Sequence, residues 1–179
     1  RDLQLIDARP ALGDGGAVKV VQGAVYFHRV DFIDNLANTG FNGGAVDVTT
    51  LGAAWFTDCV FTRNKAAAYN GGGVNVNGGR AHFTRCTFAG NDAGYGGGVY
   101  AGNRAVVGAH GCTFDGNSAD GRGAAAYVGS NGNLQVVDAV FNNNGFAPRD
   151  AVYIAAAGQG WFKPMSYAGV TYWSGEGTS

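Results

Sequence analysis

Cys59-Val60-Phe61-Thr62-Arg63-Asn64 returns 27 residues later as Cys86-Thr87-Phe88-Ala89-Gly90-Asn91, and after 26 more as Cys112-Thr113-Phe114-Asp115-Gly116-Asn117. Outward from this stretch, Phe32 to Asn35 and Phe141 to Asn144 complete five copies of Phe, two variable residues and Asn, with Phe-to-Phe steps of 29, 27, 26 and 27 residues. A fixed period of that size marks a stack of one supersecondary unit. Small residues punctuate the intervals: Gly15-Gly16-Ala17-Val18, Gly43-Gly44-Ala45-Val46, Gly72-Gly73-Val74 and Gly97-Gly98-Val99. Later copies drift to Ala124-Ala125-Ala126 and Asp150-Ala151-Val152.

Aligned on Phe, each unit shows three short stretches of period-two hydrophobicity, the pattern of a strand that sends alternate side chains into a core. The unit around Phe61 has Val46 and Val48, then Ala54 and Phe56, then Cys59 and Phe61; the next has Val74 and Val76, Ala81 and Phe83, Cys86 and Phe88. Between the second and third stretches the inward positions lie three apart, which predicts a bend. Three strands and about 27 residues per turn fit an all-β parallel β-helix, in which equivalent side chains stack in columns. Five to six coils at about 4.8 Å each give a prism roughly 30 Å long, with right-handed winding expected from known β-helices.

The repeat reads as residues 1–154, entered mid-coil, because Leu3 and Leu5 mimic the third-stretch pair. Residues 155–179 lack it and crowd aromatics, among them Trp161, Phe162, Tyr172 and Trp173, so they read as a cap on the last coil or a partner contact. Asn35, Asn64, Asn91, Asn117 and Asn144 fall where the chain turns. Asn tolerates left-handed backbone geometry and its amide bonds neighbouring main chain, so these five are expected to form a structural ladder. Glycine and proline together make 35 of the 179 residues, below the level of about 25–30% that suggests a disordered chain.

The paired motifs, FxxN with GGA or GGV, resemble the repeats of chlamydial polymorphic outer membrane proteins. The resemblance runs from Gly15 to about Ile154, with both motifs in the same order. It implies a right-handed β-helix of the pectin-lyase-like class, displayed at the cell surface as an adhesin. The chain departs from that pattern in its Ala-rich fourth unit and in Arg149-Asp150-Ala151, and it carries no autotransporter barrel.

Net charge is −1, which gives no basic excess for nucleic acid. No stretch approaches the roughly 20 apolar residues that cross a bilayer, and the first residues do not resemble a signal peptide. Entry in mid-coil leaves open strand edges, which points to a piece of a longer chain or a subunit of a larger assembly. Cys59, Cys86 and Cys112 share one inward column, where buried thiols are expected; their redox state stays open.

Function in such a prism belongs to the outward columns. On the first face one column reads Asp47, Asn75, Tyr100, Tyr127 and Tyr153. The three tyrosines, with Asn75, form a candidate ligand-binding strip for stacking on sugar rings or for a protein contact. At the bend, Arg29, Asp58, Arg85, Gly111 and Asp138 alternate in charge and are expected to fix coil register. Glycoside hydrolysis needs two carboxylates facing one bond, whereas here the Asp residues scatter over different columns, Glu176 is in the tail, and the three histidines do not converge with them. No catalytic residue, cofactor or metal site is therefore expected. The sequence reads as a secreted or surface-exposed β-helical module for adhesion, assembly or glycan and protein binding. A carbohydrate-active β-helix domain and a scaffold subunit are the alternatives.

Overall fold

A computed structural model describes residues 3–145, 151–155 and 158–162. Among these every strand-to-strand ladder is parallel and joins a segment to its counterpart one repeat later, so the chain is a parallel β-solenoid of about six turns. The third stretch of each unit forms a six-stranded sheet of β1 (Leu3–Ile6), β3 (Val30–Ile33), β6 (Val60–Thr62), β10 (Thr87–Ala89), β14 (Thr113–Asp115) and β18 (Val140–Asn142). Leu3 and Leu5 of β1 register with Val30 and Phe32.

The first and second stretches share a larger sheet. In β2 (Val18–His28) and β5 (Val46–Thr57) they run on as one strand; below, they separate into β8 (Val74–Asn77) and β9 (Arg80–Thr84), β12 (Val99–Gly102) and β13 (Val106–His110), β16 (Ala126–Val128) and β17 (Asn133–Val137). This sheet ends in β19 (Val152–Ile154) under β16 and β20 (Gln159–Phe162) under β17, so the second face continues past residue 154. A fourth short strand follows the Asn of the first four motifs: β4 (Leu36–Ala37), β7 (Lys65–Asn70), β11 (Asp92–Tyr95) and β15 (Ser118–Arg122). It carries little apolar alternation, which is why the pattern of the sequence did not reveal it.

Columns of identical side chains fill the interior. Phe32, Phe61, Phe88, Phe114 and Phe141 stack face to face at 4.7–4.9 Å with planes within 7°. Phe27, Phe56 and Phe83 form a second file at 4.9–5.0 Å, and the two files meet edge to face at 72–85°. Each such pair contributes about 0.5–1.5 kcal/mol beyond burial alone. Cys59, Cys86 and Cys112 are free, buried and directed at main-chain carbonyls, for example Cys86 Sγ to Phe56 O at 3.4 Å.

The expected bend is a column of left-handed residues: Arg29, Asp58, Arg85, Gly111 and Asp138, with φ between 51° and 61°. A second such column, Asp34, Arg63, Gly90, Gly116 and Asn143, directly precedes the Asn of each motif. The left-handed geometry expected at the Asn therefore belongs to the residue before it. That turn swings the Asn side chain inward, where Asn35, Asn64, Asn91 and Asn117 are at most 1% exposed. Asn64 uses every hydrogen-bonding position of its amide. Its Nδ2 donates to Phe32 O and Asn91 Oδ1, both at 3.0 Å, and its Oδ1 accepts from the backbone N–H and the Nδ2 of Asn35. Asn91 and Asn117 repeat the scheme, and Asn144 takes the same place in the last described unit. Such a buried polar network is stable only because it is complete.

Candidate functional site

The first-face column builds from the register. Lys19, Asp47, Asn75, Tyr100, Tyr127 and Tyr153 are consecutive partners along β2, β5, β8, β12, β16 and β19. Beside it runs a second file at the ends of the post-Asn strands, in which Asn70, Tyr95 and Arg122 are in register. The second file extends back through Asn42 to Asp14: Asn42 Oδ1 accepts from the Asn70 N–H at 3.2 Å, and Asp14 Oδ1 accepts from the Asn42 N–H at 2.8 Å. Alternation in the strands sends the first file outward, and the glycine corner brings the second file next to it.

The upper half of this surface is polar and closed. Lys19 Nζ pairs with Asp14 Oδ2 at 2.9 Å. Asn75 Nδ2 donates to Asp47 Oδ1 at 2.6 Å, and both residues are at most 2% exposed. Burial pushes the Asp47 carboxyl up to about 6; the Asn75 hydrogen bond opposes this and the nearby Asp14 charge adds to it. Burial also pulls Asp14 upward, but the Asn42 N–H and Lys19 outweigh it and hold that carboxyl below the usual range. Asn75 Oδ1 is buried with no hydrogen-bond partner among the described residues. Asn75, expected in an accessible strip, is thus part of the packed layer beneath it.

The lower half is aromatic. Tyr100 and Tyr127 stack at 5.4 Å with planes 4° apart, and Tyr127 and Tyr153 at 5.2 Å and 25°. Tyr95 leans on Tyr127 at 5.2 Å and 60°, and the Arg122 guanidinium lies over the Tyr153 ring at 4.5 Å. Missing side chains make the room: a Cβ at Gly129 would sit 2.7 Å from the Tyr100 hydroxyl. Desolvation raises the phenol pKa of Tyr100 and, with its tyrosine neighbours adding, of Tyr127. Tyr95 and Arg122 were not anticipated, because the strand that carries them has no alternation to align. Stacking along the solenoid axis covers both faces of Tyr127 and one face each of Tyr100 and Tyr153, so a sugar ring cannot lie flat along the whole strip.

With repeat, corners and columns in place, a scan against protein-family models matches residues 16–178 to the right handed beta helix region. The chain belongs to the right-handed beta helix family. The finer likeness to polymorphic outer membrane protein repeats lies outside what that match carries. No curated protein and no solved structure matches the chain.

The other columns of this right-handed beta helix sort by chemistry. Asp58 receives Arg85 in two bonds of 2.8 Å and Asp34 receives Arg63 at 2.8 and 2.7 Å, each across one coil step. Trp161 sits in β20 opposite Gln135 and is 59% exposed. Phe162 ends that strand, and Tyr172 and Trp173 lie outside the described residues. Among the described residues no group of three or more His, Cys, Asp or Glu is placed to hold a metal ion, and no helix is long and apolar enough to cross a membrane.

Proposed function

We propose that this beta helix is a non-catalytic, adhesive binding module, working outside the cell or on its surface, that engages a glycan through the hydroxyl row of Tyr100, Tyr127 and Tyr153. The observation that carries the reading is the stacking of the three rings in register at 5.2–5.4 Å, which repeats one phenol, a donor and an acceptor, per coil. A regular row of hydroxyls suits a ligand that is itself a repeating array of hydroxyls, and Tyr95 and Arg122 flank it with a further phenol and a cation. The paired FxxN and GGA motifs add the likeness to surface adhesins.

A carbohydrate-cleaving reading would draw its carboxylates from Asp14 and Asp47, whose environments push them apart in acidity as an acid and base pair requires. Asp47 is 2% exposed and bonded to Asn75, so a glycosidic bond does not reach it. The binding reading is tested on a glycan array with the parent chain and with Tyr100→Phe/Tyr127→Phe/Tyr153→Phe, which keeps the rings and removes the hydroxyls. Binding that disappears in the triple variant while the melting curve holds supports it. Binding unchanged in the triple variant, or sugar released by the parent chain, sinks it.

A further inference from the structure

The second face carries an outward file of its own. Tyr26, Trp55, His82, Gly108, Gln135 and Trp161 are consecutive register partners along β2, β5, β9, β13, β17 and β20. Tyr26 and Trp55 stack at 4.8 Å and 15°, and Trp55 and His82 at 6.1 Å and 16°. Tyr26 is 73% exposed, although aromatic side chains of this size ordinarily find cover.

Charge is distributed unevenly around the prism. Arg29, Arg80, Arg85, Arg104 and all three histidines lie on this face or on the turns that border it, where the acids are Asp58 and Asp138. Those two acids are engaged: Asp58 holds Arg85 and faces His28 at 3.6 Å, and Asp138 faces His110 at 3.4 Å. Arg80 and Arg104 are exposed and have no carboxylate in ion-pair reach among the described residues. Elsewhere the described residues carry eight Asp against five Lys or Arg, so a chain with net charge −1 has one distinctly cationic side.

We propose that this face is a docking surface for an acidic segment of a protein partner, anchored on Tyr26, Trp55 and His82 and oriented by Arg80 and Arg104. Three observations select that occupant. The stacked rings turn their edges outward, and aromatic edges are the electropositive part of the ring; with the indole N–H and the phenol O–H they attract carboxylates. The two available guanidinium groups add forks for the same group. Leu51 at 72%, Val21 at 56% and Val106 at 41% exposure give the border an apolar character that a protein segment covers and a polysaccharide does not. An exposed Tyr, a half-buried Trp and Arg beside an apolar border is the composition of an interaction hot spot.

The test uses the full chain and a fluorescein-labelled peptide alternating Glu with Leu, read by anisotropy. A peptide with Lys in place of Glu and a polygalacturonate sample run beside it. The expected result is saturable binding of the acidic peptide that weakens with added salt, is absent for the Lys peptide, and falls at least tenfold in Arg80→Glu/Arg104→Glu and in Tyr26→Ser, with melting curves unchanged. Tyr26 is exposed enough for its truncation to spare the fold. Equal binding of both peptides, an undiminished signal in the charge-reversed variant, or tighter binding of polygalacturonate than of the acidic peptide overturns the proposal. The tyrosine row of the first face is untouched by these variants, so failure here leaves the glycan reading standing, and the reverse holds too.

Discussion

Asn64 donates through Nδ2 to Oδ1 of Asn91 at 3.0 Å, and the same oxygen accepts the backbone N–H of Asn64. One side chain thereby closes the turn of the preceding coil. Substituting either residue leaves buried donors or acceptors without partners on both neighbouring coils.

Asn91→Asp is expected to destabilise more than Asn91→Ala. Aspartate keeps the acceptor but loses both hydrogens, and its charge then faces Phe61 O and Asn117 Oδ1 inside the core. Each orphaned group costs about 1–3 kcal/mol, so urea titration of Asn91→Ala should show a loss of several kcal/mol, and the aspartate variant a larger one at neutral pH. A loss within experimental error for either variant would contradict the ladder.

Asp47 gives the fold a pH dependence of unusual sign for a carboxylate. Its folded pKa of about 6 lies above the ordinary carboxyl value of 3.8, so the folded state binds the proton more tightly, and stability falls as pH rises from about 4 to about 6. The loss is at most about 3 kcal/mol. Asp47→Asn removes this slope and offers an amide hydrogen to the unpartnered Asn75 Oδ1. Melting temperatures at pH 4 and pH 7.5 should therefore differ less in the variant, which should be the more stable of the two proteins at pH 7.5.

The corner glycines are not equivalent. Gly123 has φ +69°, and a Cβ there would overlap the Ala126 carbonyl oxygen. Gly123→Ala should cost about 1–2 kcal/mol from backbone strain alone, more with the overlap. Ala124, next in the chain, already carries a side chain in the place Gly97 holds one coil earlier. Ala124→Gly should change the unfolding midpoint far less than Gly123→Ala.

The thiols of Cys59, Cys86 and Cys112 should stay silent to an aromatic disulfide reagent in the native protein and react together on unfolding, since each is at most 1% exposed. Rapid reaction of one thiol under native conditions would mean that the interior column opens locally.

The solenoid was legible because its core repeats one chemistry: each Phe and its inward partners recur at a spacing that survives drift at neighbouring positions. The bend was legible as a three-residue step, since Phe56 and Cys59 both point inward and one residue between them has to reverse the alternation. Tyr95 and Arg122 escaped notice because β11 and β15 alternate poorly and bulge between Ala93 and Tyr95. The enclosure of Asn75 escaped notice because alternation says which way a side chain points and nothing of what lies above it. The stacked rings of Tyr26, Trp55 and His82 needed the register of three coils at once, and no two of those residues share a motif.

The asparagine amides of the ladder share one direction: Asn35, Asn64, Asn91 and Asn117 each offer a hydrogen to the Asn one turn later in the chain, which receives it through its Oδ1. A newly formed coil thus saturates its predecessor and presents its own unfilled donor to its successor. That polarity lets the tube be wound in the order of the chain, with every finished layer acting as the template on which the following one sets.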